Sequence, residues 1–186
     1  MTTYEDLVEL GLIQPDEENI ESVSFFTGDI VFRKSHFNVW KQCTEDGEAK
    51  YGVLDTKNFV VVEFEYDFIG EIESIDGKSI LWNCLLLQKN GKFGVLNLDS
   101  RKIIVPCEYD NVKFIRHTNP IRCGYEFLII TQNNNLKGLI SPFGSPLLNC
   151  HYEQIVKFDK DHVLLSHFGL SLDYEVLQGS IVCQND

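Results

Sequence analysis

Short apolar runs, each followed by a polar turn and a second apolar run, recur along the middle of this chain. The first runs are Phe37–Cys43, residues 81–87 and residues 126–131, and the turn pairs after them are Asp46-Gly47, Asn90-Gly91 and Asn134-Asn135. Asn and Gly tolerate the positive φ angles of a two-residue type I′ turn. The pattern therefore predicts an antiparallel hairpin at each of the three places.

The strands after each turn carry markers that repeat at a constant spacing. The glycines are Gly52, Gly94 and Gly138, preceded by Tyr51, Phe93 and Lys137, and the tyrosines Tyr66, Tyr109 and Tyr152 lie 43 positions apart. A glycine lets a neighbouring backbone or ring approach closely, and a tyrosine brings an apolar ring with a polar tip. Pro106 lacks an N–H, which predicts an edge strand. Each unit is predicted to be strand, tight turn, strand, polar turn and strand, with the markers as packing residues.

These repeats predict one all-β domain over residues 1–186, built from tandem antiparallel three-stranded units of about 43 residues. Residues 37–155 hold three regular repeats. Residues 1–36 are predicted to form a cap with a short helix over residues 4–10 and a degenerate hairpin from 22–26 and 29–34. Residues 156–186 are predicted to form a shortened final repeat, because terminal repeats must cover an otherwise exposed stack.

The negative charge of the chain is concentrated in its first part. Residues 1–76 hold 18 acidic and 5 basic side chains, whereas residues 77–186 hold 10 acidic and 11 basic ones. Such a surface repels nucleic acid and anionic membranes and attracts basic partners. The chain shows neither a secretion signal nor a run of about 20 apolar residues, which predicts a cytoplasmic protein. A simple solubility surface would explain the charge equally well.

Enzymatic chemistry has weak support in the sequence. The six cysteines form no C-x-x-C pair, which favours reduced thiols over a disulfide framework. Cys107 and Cys150 occupy the same repeat position, which favours packing, while Cys123 near His117 could pair as nucleophile and base. No metal-ligand spacing, Gly-rich phosphate loop or other cofactor motif is present. The chain is predicted to be a non-enzyme without metal or cofactor.

The repeated stretches resemble WG repeats. Lys50-Tyr51-Gly52-Val53-Leu54-Asp55, Lys92-Phe93-Gly94-Val95-Leu96-Asn97 and the Val-Pro-x-x-Tyr-Asp that ends at Asp110 carry the resemblance, with Tyr or Phe in place of the family's Trp. The resemblance implies a curved, partial (half) propeller-like array and a role in protein interaction. It also extends to small bacterial immunity proteins of contact-dependent growth inhibition systems, which neutralise secreted toxins.

Together, charge and resemblance predict a cytosolic immunity protein that forms a 1:1 complex with a basic toxin domain, such as a nuclease, and covers its active site. The alternative is a generic interaction scaffold without a toxin partner. The predicted partner-binding residues are carboxylates of the acidic part together with two aromatic anchors. They are Glu45, Asp46, Glu48, Glu63, Glu65, Tyr66, Asp67, Phe68, Glu71, Glu73 and Asp76.

Overall fold

A computed structural model describes residues 28–116, 127–159, 162–176 and 180–183. These residues form sixteen strands and contain no helix. Consequently, no helix in this part of the chain is long and apolar enough to cross a membrane. The predicted helix over residues 4–10, the strand at 22–26 and the pair His117 and Cys123 lie outside the described residues.

The strands form four antiparallel sheets of four strands, and each sheet follows the order of the chain. Sheet 1 contains β1 (Asp29–Lys34), β2 (Phe37–Cys43), β3 (Ala49–Asp55) and β4 (Val60–Tyr66). Sheet 2 contains β5 (Phe68–Glu73), β6 (Ile80–Lys89), β7 (Lys92–Asn97) and β8 (Lys102–Tyr109). Sheet 3 contains β9 (Asn111–Arg116), β10 (Phe127–Asn133), β11 (Leu136–Ile140) and β12 (Pro146–Tyr152). Sheet 4 contains β13 (Gln154–Asp159), β14 (His162–His167), β15 (Leu170–Glu175) and β16 (Ser180–Cys183).

The prediction of antiparallel all-β units is confirmed, but the unit of three strands was too small. In sheet 1 the first strand is the predicted strand 29–34, which pairs with β2. Sheets 2, 3 and 4 each begin with an additional strand, which starts directly after the Tyr-Asp or Tyr-Glu pair. In β5, Ile69 and Ile72 are buried whereas Glu71 and Glu73 are exposed. This outward alternation of carboxylates is typical of a strand that is covered on one side.

The hydrophobic core lies between consecutive sheets. One cluster joins Val39 and Val53 of sheet 1 to Leu85 and Leu87 of sheet 2. A second cluster joins sheet 2 to sheet 3, and a third joins sheet 3 to sheet 4. Sheets 2 and 3 therefore bury apolar side chains against both neighbours. A single unit would expose this surface, so it is expected to be unstable alone.

The repeat glycines lie opposite a bulge in the last strand of each sheet. Between the pairs Val95–Val105 and Phe93–Tyr109, β7 has Gly94 alone whereas β8 has three residues. A Cβ on Gly94 would lie 2.5 Å from the carbonyl oxygen of Val105. The same arrangement recurs at Gly52 and Gly138, so the predicted close approach to these glycines is confirmed. Pro106 belongs to this bulge, on the edge strand β8.

Two of the three predicted type I′ turns are confirmed. Asn90 and Gly91 have φ angles of 53° and 73°, and Asn134 and Asn135 have 50° and 65°. The prediction at Asp46-Gly47 was wrong because Gly47 alone has a positive φ there. The loop is longer, since the N–H of Thr44 donates to the carbonyl of Glu48 at 2.8 Å.

The aspartate after each of the first two repeat tyrosines joins two sheets. Asp67 accepts from Nζ of Lys50 in sheet 1 at 2.6 Å and from the N–H of Asn90 in sheet 2 at 2.7 Å. Asp110 repeats this between Lys92 and the N–H of Asn134. The hydrogen bond from the lysine has the larger effect and the one from the backbone N–H the next largest, and together they hold the pKa of each aspartate carboxyl below its usual value. The Lys and Asp of the repeat thus connect consecutive sheets.

Candidate functional site

The acidic turn between β2 and β3 is an exposed part of the predicted binding surface. Glu45, Asp46 and Glu48 are all exposed. The turn is ordered by the N–H and hydroxyl of Thr44, which both donate to the carbonyl of Glu48. Lys50 lies 3.7 Å from the Glu48 carboxylate, whereas no ion pair is found for Glu45 or Asp46 within the described residues. These two carboxylates are available to a partner.

On the edge strand β4, the predicted residues differ in accessibility. Glu63 and Glu65 are exposed, and Glu65 forms an ion pair with Lys89 at 2.7 Å. Tyr66 is only 4% exposed and belongs to the core between sheets 1 and 2, with Lys89 Nζ 5.7 Å from its ring centre. Burial raises the pKa of its hydroxyl to about 12, and the nearby Glu65 carboxylate adds to this. The structure therefore leaves little of the Tyr66 side chain accessible to a partner.

Phe68 retains an exposed ring beside this strand. Its side chain makes an edge-to-face contact with Tyr51 at 6.2 Å and covers the space that a Cβ on Gly70 would need. Asp67 next to it is half-buried and already joins Lys50 to Asn90. Of the two predicted aromatic anchors, the structure leaves Phe68 as the accessible one.

The remaining predicted carboxylates have partners within the protein. Glu71 lies 3.3 Å from Nζ of Lys34, and Glu73 lies 3.9 Å from Nζ of Lys113. Asp76 accepts from the hydroxyl of Ser74 at 2.5 Å. The hydrogen bond from this hydroxyl, which has the larger effect, and the one from the N–H of Lys78 hold the pKa of Asp76 below its usual value. These three carboxylates tie β5 and the turn after it to their surroundings, which reduces the charge they offer to a partner.

The cysteines at the repeat position serve packing, as predicted. The Cys107 thiol donates to the carbonyl of Leu87 at 3.8 Å, and the Cys150 thiol donates to the carbonyl of Thr131 at 3.7 Å. Leu87 and Thr131 each lie opposite a repeat glycine. Phe64 fills the corresponding position beside Gly52 in sheet 1. Burial is the main cause that raises the pKa of the Cys107 thiol, and the raised pKa disfavours the nucleophilic thiolate.

Thiol reactivity provides a direct check of these environments. Cys43 is exposed, whereas Cys84 is buried. Burial, with a smaller contribution from the negative charge of Asp99, raises the pKa of the Cys84 thiol to about 12. Because the thiolate is the reactive form, iodoacetamide should alkylate Cys43 well before Cys84 in the native protein. Peptide mass spectrometry over a time course measures both rates. In urea the two rates should converge, and equal rates in the native protein would contradict the burial of Cys84.

A cleft between sheets 2 and 3 was not predicted from the sequence. It has a volume of about 460 Å³, and its walls include Asn83, Asn97, Asp99, Lys102, Phe127 and Phe143. Asn83 Nδ2 donates to Asp99 Oδ2 at 3.0 Å within the wall that sheet 2 forms. Its size is in the range of ordinary small-ligand sites. The sequence signal was a difference between repeats, since Arg101 in the second polar turn corresponds to Gly144 in the third.

Comparisons with known proteins bear on the architecture. Residues 51–80 match a family described as "WG containing repeat". No curated protein is significantly similar to the chain. A crystal structure of the tricorn protease aligns with 12% identity and a TM-score of 0.27, covering 83% of this chain and 16% of that one. The match at 51–80 supports a WG-repeat protein over the segment that carries the first Tyr-Gly and Tyr-Asp markers.

Proposed function

We propose that this protein is a cytoplasmic immunity protein that binds a basic toxin domain, such as a nuclease, in a 1:1 complex and covers its active site. The observation that carries the proposal is the exposed carboxylate set Glu45, Asp46, Glu48 and Glu63 on sheet 1 of a chain with a net charge of −12. A nuclease must attract phosphate and therefore has a basic cleft, for which carboxylates compete. The turn closed by Thr44 and Glu48, and the pairing of β4 with β3, hold this set in place.

The proposal includes a curved, partial propeller-like arrangement of the four sheets. It is supported by the order of the strands within each sheet and by the apolar clusters between consecutive sheets. In such an array, edge strand β4 and the turn between β2 and β3 belong to the same sheet and can contact one partner together. An interface of about 1,600 Å² would be ordinary for a stable complex.

Co-expression with the protein encoded by the adjacent reading frame tests this function. If that protein arrests growth and this chain restores it, the immunity proposal is supported. If the neighbour is harmless, or if its toxicity persists beside well-folded protein, the alternative of a generic interaction scaffold is favoured. The proposed function requires no catalysis by this chain, so a Cys123→Ala variant should protect as well as the natural chain.

Charge reversal tests where the partner binds. The triple variant Glu45→Lys, Asp46→Lys, Glu63→Lys should lose most of its protection, because each lysine places a positive charge against a basic surface. These side chains have no ion pair within the described residues, so folding should be preserved, which circular dichroism would verify.

The matched control is Glu108→Lys, an exposed carboxylate at the repeat position of Glu65 but on sheet 2. It should protect almost as well as the natural chain. Full protection by the triple variant, measured as growth in the co-expression assay, would show that the contact lies elsewhere.

A further inference from the structure

Among the described residues, one face of sheet 1 lacks the preceding sheet that covers the corresponding faces of sheets 2 and 3. The residue two positions after each repeat glycine lies on this face, and it is Leu54, Leu96 or Ile140. Leu96 packs with side chains of sheet 1, and Ile140 packs with side chains of sheet 2. In sheet 1, Val53 faces sheet 2, so the next residue, Leu54, points to the opposite side. Leu54 therefore lies on an end face of the stack.

This outer face of sheet 1 holds a buried residue that no neighbouring sheet covers. The face comprises two rows across β1, β2 and β3, which are Ile30, Trp40 and Gly52, and then Arg33, Asn38 and Leu54. Leu54 is fully buried. It is the one buried apolar residue in the described part of the chain that belongs to none of the three clusters between sheets. Packing between the four sheets therefore does not account for its burial.

Trp40 is a second indication that something covers this face. It lies opposite a repeat glycine, at the place that Leu87 has in sheet 2. Its indole Nε1 is buried but has no hydrogen-bond partner among the described residues. Buried donors are nearly always paired, so an acceptor is expected from the group that lies over this ring. Its neighbour Ile30 is 38% exposed, whereas the corresponding Ile69 is 1% exposed under sheet 1. The face thus keeps apolar surface that a cover would bury.

The opposite end of the stack differs in its chemistry. Leu172 and Tyr174 of β15 pack against sheet 3. The side chains that alternate with them onto the end face of sheet 4 are polar, and they are Ser171, Asp173 and Glu175. A second copy that continued the stack head to tail would place these polar groups on the apolar outer face of sheet 1. The occupant of that face is therefore better sought elsewhere.

The chain before β1 enters sheet 1 at this face. Gly28 lies so close to β2 that a Cβ there would overlap the carbonyl oxygen of Lys41, the neighbour of Trp40. Phe26 is four positions before Ile30, a reach of at most about 14 Å. Four strands span about 14 Å, so a chain as long as residues 1–27 is able to cross the whole face.

The charge of this segment also suits the outer face of sheet 1. Residues 1–27 contain seven carboxylates and no basic side chain. Arg33 is exposed in the same row as Leu54. A guanidinium at this place offers a counter-charge to a carboxylate that comes to lie over the row.

We propose that residues 1–27 dock on the outer face of sheet 1 and take the place of a preceding sheet. Phe25 and Phe26 cover Trp40 and Leu54, and an oxygen of the segment accepts the hydrogen bond from Trp40 Nε1. Docking also adds the seven carboxylates of the segment to the sheet that carries the exposed acidic turn between β2 and β3. Their contact with a basic partner, unlike the docking itself, rests on the proposed function.

Acrylamide quenching of tryptophan fluorescence tests the contact in the full chain. The chain has two tryptophans, and Trp82 is 77% exposed, so a Trp82→Phe background leaves the fluorescence of Trp40 alone. Quenching of Trp40 should be weak in this background. The double change Phe25→Asp, Phe26→Asp should raise its quenching constant several-fold, because burying these charges against the face is unfavourable. The matched control Thr2→Asp, Thr3→Asp adds the same charge to the segment and should leave the constant unchanged.

Equal quenching of Trp40 in the two double variants would overturn the proposal. Light scattering gives the oligomeric state, and a natural dimer that dissociates when Trp40 becomes accessible would show that a second copy is the cover.

Nuclear Overhauser effects supply a readout that does not depend on the folding of a variant. In the natural chain, the Trp40 indole protons should show them to the rings of Phe25 and Phe26, and their absence would contradict the contact. Neither measurement involves a partner. Their failure would therefore reject the docking and leave the immunity function to its own co-expression test.

Discussion

Replacing Gly94 by alanine is expected to destabilise the protein by about 3 kcal/mol, at the upper end of what overpacking usually costs. The new Cβ would lie 2.5 Å from the Val105 carbonyl oxygen and 2.9 Å from the Cys107 backbone nitrogen. Both are main-chain atoms of the bulge in β8, which cannot move without disturbing the strand pairing. For a chain of this length, the melting temperature should fall by roughly 6–12 °C.

Gly47→Ala is the matched control for this prediction. Gly47 has a φ of 82°, but nothing lies within 4 Å of the position of an added Cβ. Its replacement therefore costs backbone strain alone, about 1 kcal/mol. Urea denaturation of the two variants measures the difference. Equal losses of stability would mean that the bulge does not close over Gly94.

Removing the carboxylate of Glu71 is expected to cost about 2–3 kcal/mol, because it leaves a buried ammonium without its counter-charge. The Lys34 side chain is 2% exposed, and its Nζ is held by Glu71 at 3.3 Å and by the Leu81 carbonyl at 2.8 Å. Glu71 itself is 43% exposed, so water replaces part of the lost interaction and keeps the cost below that of a fully buried pair.

A double-mutant cycle separates this ion pair from simple packing. Glu71→Ala should destabilise the protein more than Lys34→Met, because methionine removes the buried charge and preserves most of the side-chain volume. In the double variant, most of the Glu71→Ala loss should be recovered. Urea denaturation measures each member, and Glu108→Ala should stay within about 0.5 kcal/mol of the natural chain. Additive losses in the double variant would show that the two residues are not coupled.

Glu71 also shows why counting charges along the sequence did not predict which carboxylates are free to bind a partner. Its acidic neighbours along the chain predicted a binding surface, but its ion-pair partner Lys34 comes from another sheet, 37 positions earlier. Tyr66 was likewise predicted as both a packing residue and an anchor, and its burial confirms the first role. Sequence position alone does not distinguish a surface carboxylate from one that connects two sheets.

The repeat markers were more informative, because local chemistry determines them. The backbone close to Gly52, Gly94 and Gly138, and the turns at Asn90 and Asn134, follow from what Gly and Asn permit. The first strands of sheets 2, 3 and 4 were missed because they lie between the repeat markers, whereas the first strand of sheet 1 was predicted at residues 29–34. The cleft was not anticipated, although Arg101 and Gly144 lie 43 positions apart and so occupy the same repeat position, because the sequence does not show how consecutive sheets face each other.

The most direct test of the proposed binding is the association rate of the purified protein with the proposed basic toxin domain, measured by stopped-flow fluorescence at two ionic strengths. At about 0.01 M salt, charges act over about 30 Å, whereas at about 0.15 M this distance falls to about 8 Å. Exposed carboxylates that steer a basic partner predict a rate constant at least about tenfold higher at the lower salt concentration. A rate constant that does not change between the two would contradict the account.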